Sequence, residues 1–300
     1  MESLLFLKIG MLIAVSIIGW VIARKWKMSS KDISTLLVYV VSPFVIFSSI
    51  LESPSNPGYF KYSIGAFLTS GLFAAGAYAL ANAFWSCGKR NLFSFAGGTG
   101  NTGYFALPII LSLFEPSQWA VAIFIIIGVN IYEFTLGYFI TAKGTFNTRD
   151  CVKKVLSLPI IYATIFALCF KYMGVAFHHE VLSFMDNFKG AYSVLGMMVI
   201  GMTLAPYGKP EFDWKFSIAS IGWKHVCIPV VGVLFFTMLG IDENSLLVIA
   251  LMLATPMAGN VVVIANQLGV HPRIAATTVM FSTLLSIVSI PISLRVMQLL

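Results

Sequence analysis

Two long apolar segments of this chain are each interrupted by a short cluster of Gly, Pro, Asn and Thr residues. The first interruption runs from Gly97 to Pro108, and the second runs from Ala254 to Val261. In lipid every backbone N–H and C=O group needs a hydrogen-bond partner, so non-helical backbone survives only against protein or a wet cavity. Two interruptions in corresponding positions of two halves therefore indicate the substrate site of a membrane transporter.

The composition excludes a soluble globular protein. Hydrophobic residues make up 58% of the 300 residues and charged residues only 10%, whereas soluble domains average about 45–50% and about 25%. The net charge of +7 does not indicate a nucleic-acid partner, because the basic residues concentrate in alternate short loops. The expected surroundings are a lipid bilayer.

Ten segments are apolar and long enough to cross a membrane, which takes about 20 residues. They cover residues 3–23, 32–51, 60–86, 91–113, 118–142, 153–176, 181–206, 215–239, 243–268 and 273–298. The predicted fold is an all-α polytopic membrane protein with ten transmembrane helices. The links between the segments are too short to hold a soluble domain.

Basic residues in the links predict the orientation of the spans. Of the 19 Lys and Arg residues, 13 lie in links that follow odd-numbered spans and four lie on the opposite side. The positive-inside rule places the odd links in the cytoplasm and both termini outside the cell membrane. Residues 1–142 and 153–300 then form two inverted five-helix repeats, joined by a basic cytoplasmic linker at 143–152. The first apolar run has no basic region before it and is predicted to be a retained span.

The interruptions supply the predicted substrate-binding residues. Gly and Pro open helical turns, and the exposed N–H groups at half-helix N-termini suit carboxylates, while Asn side chains add donors and acceptors. Alternatively, Gly and Pro only allow helices to pack closely. Ser42 precedes a proline that either kinks its span or exposes Ser42 to the same cavity. The predicted binding residues are Asn101, Thr102, Gly103, Pro108, Thr255, Pro256 and Asn260, with Ser42 and Asn130.

Two ionisable residues lie at the same depth inside predicted spans. Glu133 is the only carboxylate well inside a span, and Lys224 lies at a similar distance from its own cytoplasmic end. Charges inside a membrane are costly and mark functional positions. We expect Glu133 and Lys224 to couple transport to a proton or an ion. The alternatives are a structural ion pair, or a lysine that reaches the membrane interface.

Enzyme, metal and cofactor signatures are missing from the sequence. It contains neither HExxH nor GxSxG, and the four cysteines form no CxxC pair. The string Gly98-x-Gly100-x-x-Gly103 matches a dinucleotide-binding pattern, but it lies inside an apolar span and not in a βαβ unit. We therefore expect neither an enzyme nor a bound metal or cofactor.

The two interrupted segments resemble those of the auxin efflux carrier family of secondary transporters. The resemblance rests on the ten-span layout with its central basic link, and on two motifs. These are Gly100-Asn101-Thr102-Gly103-Tyr104-Phe105-Ala106-Leu107-Pro108 and Pro256-Met257-Ala258-Gly259-Asn260-Val261-Val262-Val263-Ile264-Ala265, followed by Leu268-Gly269.

The resemblance implies the crossover fold of bile-acid sodium symporters, in which broken spans four and nine cross at mid-membrane. It also implies elevator-type alternating access, a dimer through the scaffold spans, and organic-anion substrates such as malate, malonate or auxin-like acids. The short central link favours a dicarboxylate carrier.

Coupling is less defined by the resemblance. Residues 254–265 contain no acid, so the sodium site of bile-acid symporters is not expected. Proton coupling, uniport-like export, and sodium held by carbonyls and Asn side chains stay open. A cation/proton antiporter that uses Glu133 and Lys224 is the alternative function, and a membrane-embedded enzyme or receptor is a third.

Overall fold

Regular structure is helical throughout the described part of the chain. A computed structural model describes residues 2–53, 57–107, 109–110, 114–205 and 213–298. Helical structure occupies each of the ten predicted apolar segments. The helices are α1 Glu2–Trp26, α2 Ser30–Glu52, α3 Phe60–Asn82, α4 Cys87–Gly97, α5 at residues 116–142, α6 Thr148–Leu156, α7 Pro159–Tyr172, α8 His179–Leu204, α9 Trp214–Met238, α10 Glu243–Leu253, α11 Asn260–Leu268 and α12 Pro272–Gln298.

Several of these helices are suited to cross a bilayer. By length and hydropathy, five qualify among the described residues, in α2, α3, α5, α9 and α12, and the bent pair α6–α7 would be a sixth. Helices with apolar residues on all faces need an apolar surrounding. The prediction of an all-helical polytopic membrane protein is therefore confirmed, while the count of ten spans, the inverted repeat and the orientation stay predictions.

The two predicted interruptions coincide with breaks in the helices. Helix α4 ends at Gly97, and a π-helical turn begins only at Thr102. Helix α10 ends at Leu253, and α11 begins at Asn260. Of the predicted site residues, Pro108 lies outside the described residues.

Three long helices contain a π-helical turn. These turns lie at Leu37–Val41 in α2, Glu133–Gly137 in α5 and Trp223–Cys227 in α9. A π turn inserts one extra residue and leaves the regular hydrogen-bond ladder, and such turns are frequent at functional sites. Two of the three turns carry the intramembrane charges Glu133 and Lys224.

Apart from the short helix α6, the helices pack in two groups. The first, called here the four-helix group, contains α1, α2, α7 and α8, in which α1 lies along α8 and α2 along α7. The second, called the broken-helix group, contains α3, α4, α5 and α9 to α12. Glycines allow the closest approaches: a Cβ on Gly201 of α8 would lie 1.7 Å from the Ser16 carbonyl oxygen of α1.

The helices found at the predicted linker and sixth span begin and end at other residues than predicted. Helix α6 begins at Thr148, where the Asn147 side chain accepts a hydrogen bond from the Asp150 N–H at 2.9 Å. It ends before Pro159, and α7 then continues at an angle of 49°. Pro159 lacks the N–H needed to continue the ladder of α6. Part of the predicted linker is therefore a short amphipathic helix.

Candidate functional site

The two breaks meet each other through backbone groups. The Asn101 N–H donates to the Pro256 carbonyl oxygen at 2.8 Å. The Asn101 carbonyl oxygen accepts from the N–H groups of Phe105 and Ala106, both at 3.3 Å. Backbone groups that the breaks release thus find partners inside the protein, as a membrane interior requires. Interruptions that lie more than 150 residues apart in the sequence form one structural unit.

The second break is further held by α9 and α12. The Met257 N–H donates to Ser282 Oγ at 2.8 Å, and Ser282 Oγ also bonds His225 Nε2 at 2.8 Å. His225 Nδ1 bonds Ser289 Oγ at 2.9 Å. The imidazole of α9 therefore supports the second break through Ser282 of α12. Thr255, a predicted site residue, donates its hydroxyl to the Met252 carbonyl oxygen at 2.8 Å.

Glu133 joins the two breaks. Its carboxylate is buried and accepts one hydrogen bond from the Thr99 hydroxyl of the first break and another from the Asn260 amide of the second. Hydrogen bonds to an ionised group are stronger than those between neutral groups. Glu133 was expected at the site from its position inside a span. Thr99 was not predicted, although it lies within the first interruption.

Tyr192 completes this chain of hydrogen bonds. Its hydroxyl donates to Asn260 Oδ1 at 2.7 Å, so that both ends of the Asn260 amide are engaged. Tyr192 lies on α8 in the four-helix group, whereas Asn260 lies in the broken-helix group, and the bond therefore crosses between the groups. Sequence reasoning missed Tyr192, because a tyrosine within an apolar helix carries no pattern that separates it from packing residues.

Lys224 lies against the first break from the other side. Its ammonium group is buried and donates to the Leu253 carbonyl oxygen at 3.3 Å. A Cβ on Gly100 would lie 2.5 Å from Lys224 Nζ and 2.5 Å from Thr255 Oγ1, so Gly100 leaves room for both groups. Among the described residues Lys224 forms no salt bridge, but it lies within electrostatic range of Glu133. The alternative of a direct ion pair between Glu133 and Lys224 is therefore not found among the described residues, and their coupling role stays a prediction.

A cavity of about 280 Å³, called here the amide cavity, opens beside the meeting point of the breaks. Three asparagines and one acid give it polar character. The amide of Asn101 is buried, and its Oδ1 has no hydrogen-bond partner within the described protein. Helices α2 and α8 of the four-helix group close the opposite wall. The polar lining residues are Ser49, Asn101, Thr102, Asn130, Glu133, Lys189, Tyr192, Ser193 and Asn260.

The predicted site residues occupy different positions around this cavity. Asn101, Thr102, Gly103, Asn130 and Asn260 line it. Thr255 and Pro256 lie behind it, where they hold the backbone of the breaks. Ser42 is buried beside the Tyr192 hydroxyl and is not among the lining residues.

The cavity can bind a polar molecule through amides and hydroxyls, with one acid able to accept or release a proton. Within the ranges described above, no three His, Cys, Asp or Glu side chains cluster as a metal site would require. The side chains therefore suggest recognition of a small polar substrate.

Comparison with known proteins relates the chain to membrane carriers. The profile of a family described as membrane transport protein matches residues 145–294. An uncharacterized transporter of Methanocaldococcus jannaschii is 22% identical over 277 residues, which cover 87% of each chain. A protein of Rhizobium meliloti named "Putative malonate transporter" is 25% identical over 275 residues, which cover 86% of this chain and 84% of that protein.

The matched half of the chain contains the second break, with Asn260, and Lys224, while the alignments with both relatives extend over most of the length. The helical membrane architecture and the sequence matches lead to the same assignment. The chain therefore belongs to the auxin efflux carrier family of membrane transport proteins, and it is a transporter and not an enzyme.

Proposed function

We propose that this transporter carries small organic anions and that their carboxylate binds in the amide cavity. The observation that carries the proposal is the meeting of both breaks at a cavity lined by Asn101, Asn130 and Asn260. An asparagine amide can present either its oxygen or its NH₂ group after rotation. The Asn101 amide, whose oxygen has no partner in the described protein, can therefore turn a donor toward a bound carboxylate.

The charge balance of the cavity favours transport of the anion together with a proton. A carboxylate substrate would lie next to the carboxylate of Glu133, and two like charges at short range disfavour double ionisation. Protonation of Glu133 removes the repulsion. We infer that Glu133 binds a proton when the substrate binds.

Short dicarboxylates are the proposed substrates. The name of the Rhizobium meliloti relative supports malonate, and a cavity of about 280 Å³ is ample for an acid of three or four carbons. Polar groups on several sides of the cavity suit a ligand with a carboxylate at each end.

Alternating access through an elevator movement is the proposed mechanism. The amide cavity lies between the four-helix group and the broken-helix group, so sliding of one group past the other would change its exposure. The packing also supports an inverted repeat. In the predicted repeat α1 corresponds to α7, α2 to α8, α3 to α9 and α5 to α12. The contact of α1 with α8 then has its counterpart in the contact of α7 with α2, and the contact of α3 with α5 has its counterpart in that of α9 with α12. All four contacts are present.

A cation/proton antiporter is the second candidate function. It is favoured by the acid in the cavity, since Glu133 could bind a cation and a proton in turn. In that case cation flux would require no organic anion.

Counterflow of labelled malonate into proteoliposomes tests the proposal. We expect exchange that unlabelled malonate and malate compete away, and that an indole acid competes away less well. Loss of one hydrogen bond to a charged group costs about 1.5–3 kcal/mol, so Asn101→Ala and Asn260→Ala should each lower the exchange rate at least about tenfold. Asn187→Ala is the matched control, because Asn187 is exposed and, among the described residues, bonds carbonyls of its own helix.

Two results would contradict the proposal. Wild-type exchange in Asn101→Ala and Asn260→Ala would remove the amide cavity as the binding site. Proton-driven cation flux in vesicles without any organic acid, together with no exchange of the acids, would favour the antiporter.

A further inference from the structure

A second cavity, called here the apolar cavity, lies on the opposite side of the first break. Its volume is about 210 Å³, and it is enclosed by α3, α5, α9 and α10 within the broken-helix group. It shares Gly100 and Thr102 with the amide cavity, but none of its lining residues in the described part of the chain comes from the four-helix group. It is thus separate from the surface along which the two groups would slide.

The walls of the apolar cavity are almost entirely hydrocarbon. An apolar cavity of about 150 Å³ is enough to bind benzene, so this one can take a longer chain. Aliphatic and aromatic side chains from four helices form the walls. They include Phe73, Ile125, Val129, Phe236, Ile249 and Met252.

A buried cation closes the inner end of this cavity. Lys224 is only 3% exposed and lines the cavity next to Thr99 and Gly100. Its ammonium group has three donors. Glu133 is the acid whose charge acts on Lys224, but its carboxylate already accepts hydrogen bonds from Thr99 and Asn260. Burial of an ammonium group costs free energy unless the group is paired and hydrogen-bonded. A bound anion would therefore stabilise Lys224, in addition to the more distant charge of Glu133.

The other end of the apolar cavity lies at the ends of helices. Lys61 and Tyr62 belong to the first turn of α3, and Leu239 and Ile241 follow the end of α9. The carboxylates of amphiphiles lie at the membrane–water boundary, and their tails lie in the bilayer. A ligand of this kind can therefore enter the cavity from that boundary.

We propose that the apolar cavity binds a medium-chain fatty acid, with its carboxylate on Lys224 and its tail along the apolar walls. A bound acid would rest against Gly100 at the first break. The proposal is independent of the substrate that the amide cavity carries. It assigns to Lys224 a ligand of its own.

Photolabelling in zwitterionic nanodiscs tests this proposal. A decanoic acid that carries a diazirine on its tail is the probe, used at neutral pH, which is well above the ordinary pKa of a carboxyl group and favours the charged form of a lysine more than alkaline pH does. Labelled peptides are mapped by mass spectrometry. We expect labels on residues of α3, α9 and α10. Unlabelled decanoate should suppress them, while decanol should do so at least about tenfold less effectively, because it lacks the charge-assisted bond.

Two variants test separately the charge of Lys224 and the open volume of the apolar cavity. Lys224→Met replaces the lysine by an unbranched, uncharged side chain of similar length and should abolish the preference for decanoate over decanol. Gly65→Phe should abolish labelling with Lys224 intact, because Gly65 lines the cavity and a Cβ there meets nothing within 4 Å. Gly10→Phe is the matched control, since its Cβ is equally unobstructed but lies on α1, away from the cavity.

The labelling and competition results decide whether a fatty acid occupies the apolar cavity. Equal competition by decanol and decanoate in the wild type would overturn the proposal, because the cavity would then be an unspecific slot for lipid tails. Labels that map to Asn101, Tyr192 and Asn260 would also overturn it, since the carboxylate would be recognised in the amide cavity. Labelling of Gly65→Phe at the wild-type level would exclude the apolar cavity as the site.

Discussion

The Glu133 side chain connects the two breaks of the site. Thr99 from the first break and Asn260 from the second both donate to its carboxylate, and Asn260 in turn accepts from Tyr192 of the four-helix group. A change in the charge of this single carboxylate would therefore alter hydrogen bonds at both breaks and at the boundary between the groups. This arrangement is what a residue that couples proton binding to movement requires.

Replacing Glu133 by glutamine should uncouple transport from the proton gradient. Glutamine cannot change its charge, and its NH₂ group cannot accept one of the two hydrogen bonds that the carboxylate accepts. We expect that an imposed proton gradient accelerates malonate uptake by the wild type but not by Glu133→Gln, while counterflow persists. Uptake into proteoliposomes with and without the gradient provides the measurement.

Glu180→Gln is the control for this experiment, because Glu180 is exposed at the start of α8. Continued acceleration of Glu133→Gln by the gradient would show that the proton binds elsewhere.

At the scale of elements, close contact between helices depends on a few glycines. Gly19 and Gly201 lie where α1 meets α8, and a Cβ on Gly19 would lie 2.2 Å from the Met198 carbonyl oxygen. Backbone atoms cannot move aside as the end of a flexible side chain can. The separation of these two helices is therefore set by the missing side chains, as is usual in membrane bundles.

Gly201→Ala should destabilise the four-helix group. Overpacking of a well-packed contact costs about 1–3 kcal/mol, and here the added Cβ would lie 1.7 Å from the Ser16 carbonyl oxygen. We expect a lower melting temperature in detergent. Gly190→Ala on the same helix is the control, because its Cβ meets nothing within 4 Å. Equal melting temperatures for both variants would mean that α1 and α8 are not in close contact.

An ion pair outside the spans links α4 to the start of α9. Lys89 Nζ lies 2.8 Å from Asp213 Oδ2, and Asp213 also accepts from the Phe216 N–H at 3.0 Å. Burial raises the pKa of Asp213, but the hydrogen bonds from Lys89 and Phe216 outweigh it, and the pKa is held below its usual value. The folded protein therefore favours the charged form of Asp213.

This ion pair predicts a pH-dependent contribution to stability. A depressed folded-state pKa stabilises the fold above the ordinary pKa of aspartate, and the stabilisation is lost as the pH falls through the folded-state value. Since the pair is partly exposed, its contribution is about 0.2–1 kcal/mol. Asp213→Asn should melt slightly below the wild type at neutral pH, and the difference should shrink as the pH falls below the ordinary pKa of aspartate, about 3.9. A constant difference at all pH values would contradict the assignment.

Local sequence signals predicted the elements well, with two exceptions. The Gly- and Pro-rich clusters correctly predicted where α4 and α10 end, because backbone torsions and missing donors act within one or two turns. The bend before Pro159 was not predicted, since the sixth span was predicted to run from 153 to 176 without a break. The π turns were also missed, because inserting one residue in a turn leaves no mark in an apolar sequence.

At the scale of the whole molecule, side-chain bonds either cross between the two helix groups or lie within one of them. Ser30 of α2 bonds Asn266 of α11 at 3.0 Å, which joins the groups. Ser217 of α9 bonds Thr278 of α12 at 2.9 Å, and both belong to the broken-helix group. The two pairs offer a matched comparison for movement between the groups.

Cross-linking these pairs tests the elevator mechanism. In a background without the four native cysteines, a bridge between Ser30→Cys and Asn266→Cys should stop malonate counterflow, because the groups could no longer slide. A bridge between Ser217→Cys and Thr278→Cys should leave it intact, since these helices move together. Hg²⁺ or oxidation forms the bridges, and reduction should restore transport. Full exchange by the first bridged pair would exclude relative movement of the groups.

The sequence by itself determined the membrane class, the helical segments, the positions of both breaks and the presence of Glu133 and Lys224 inside spans. These are properties of composition and of neighbouring residues, so they can be recognised without the fold. Only the tertiary structure decided which side chains meet. Glu133 is 34 residues from Thr99 and 127 from Asn260, and Tyr192 is 68 from Asn260. Such contacts, and the separation of Lys224 into a cavity of its own, depend on which helix faces pack together, and an almost uniformly apolar sequence does not encode those faces in a periodic pattern.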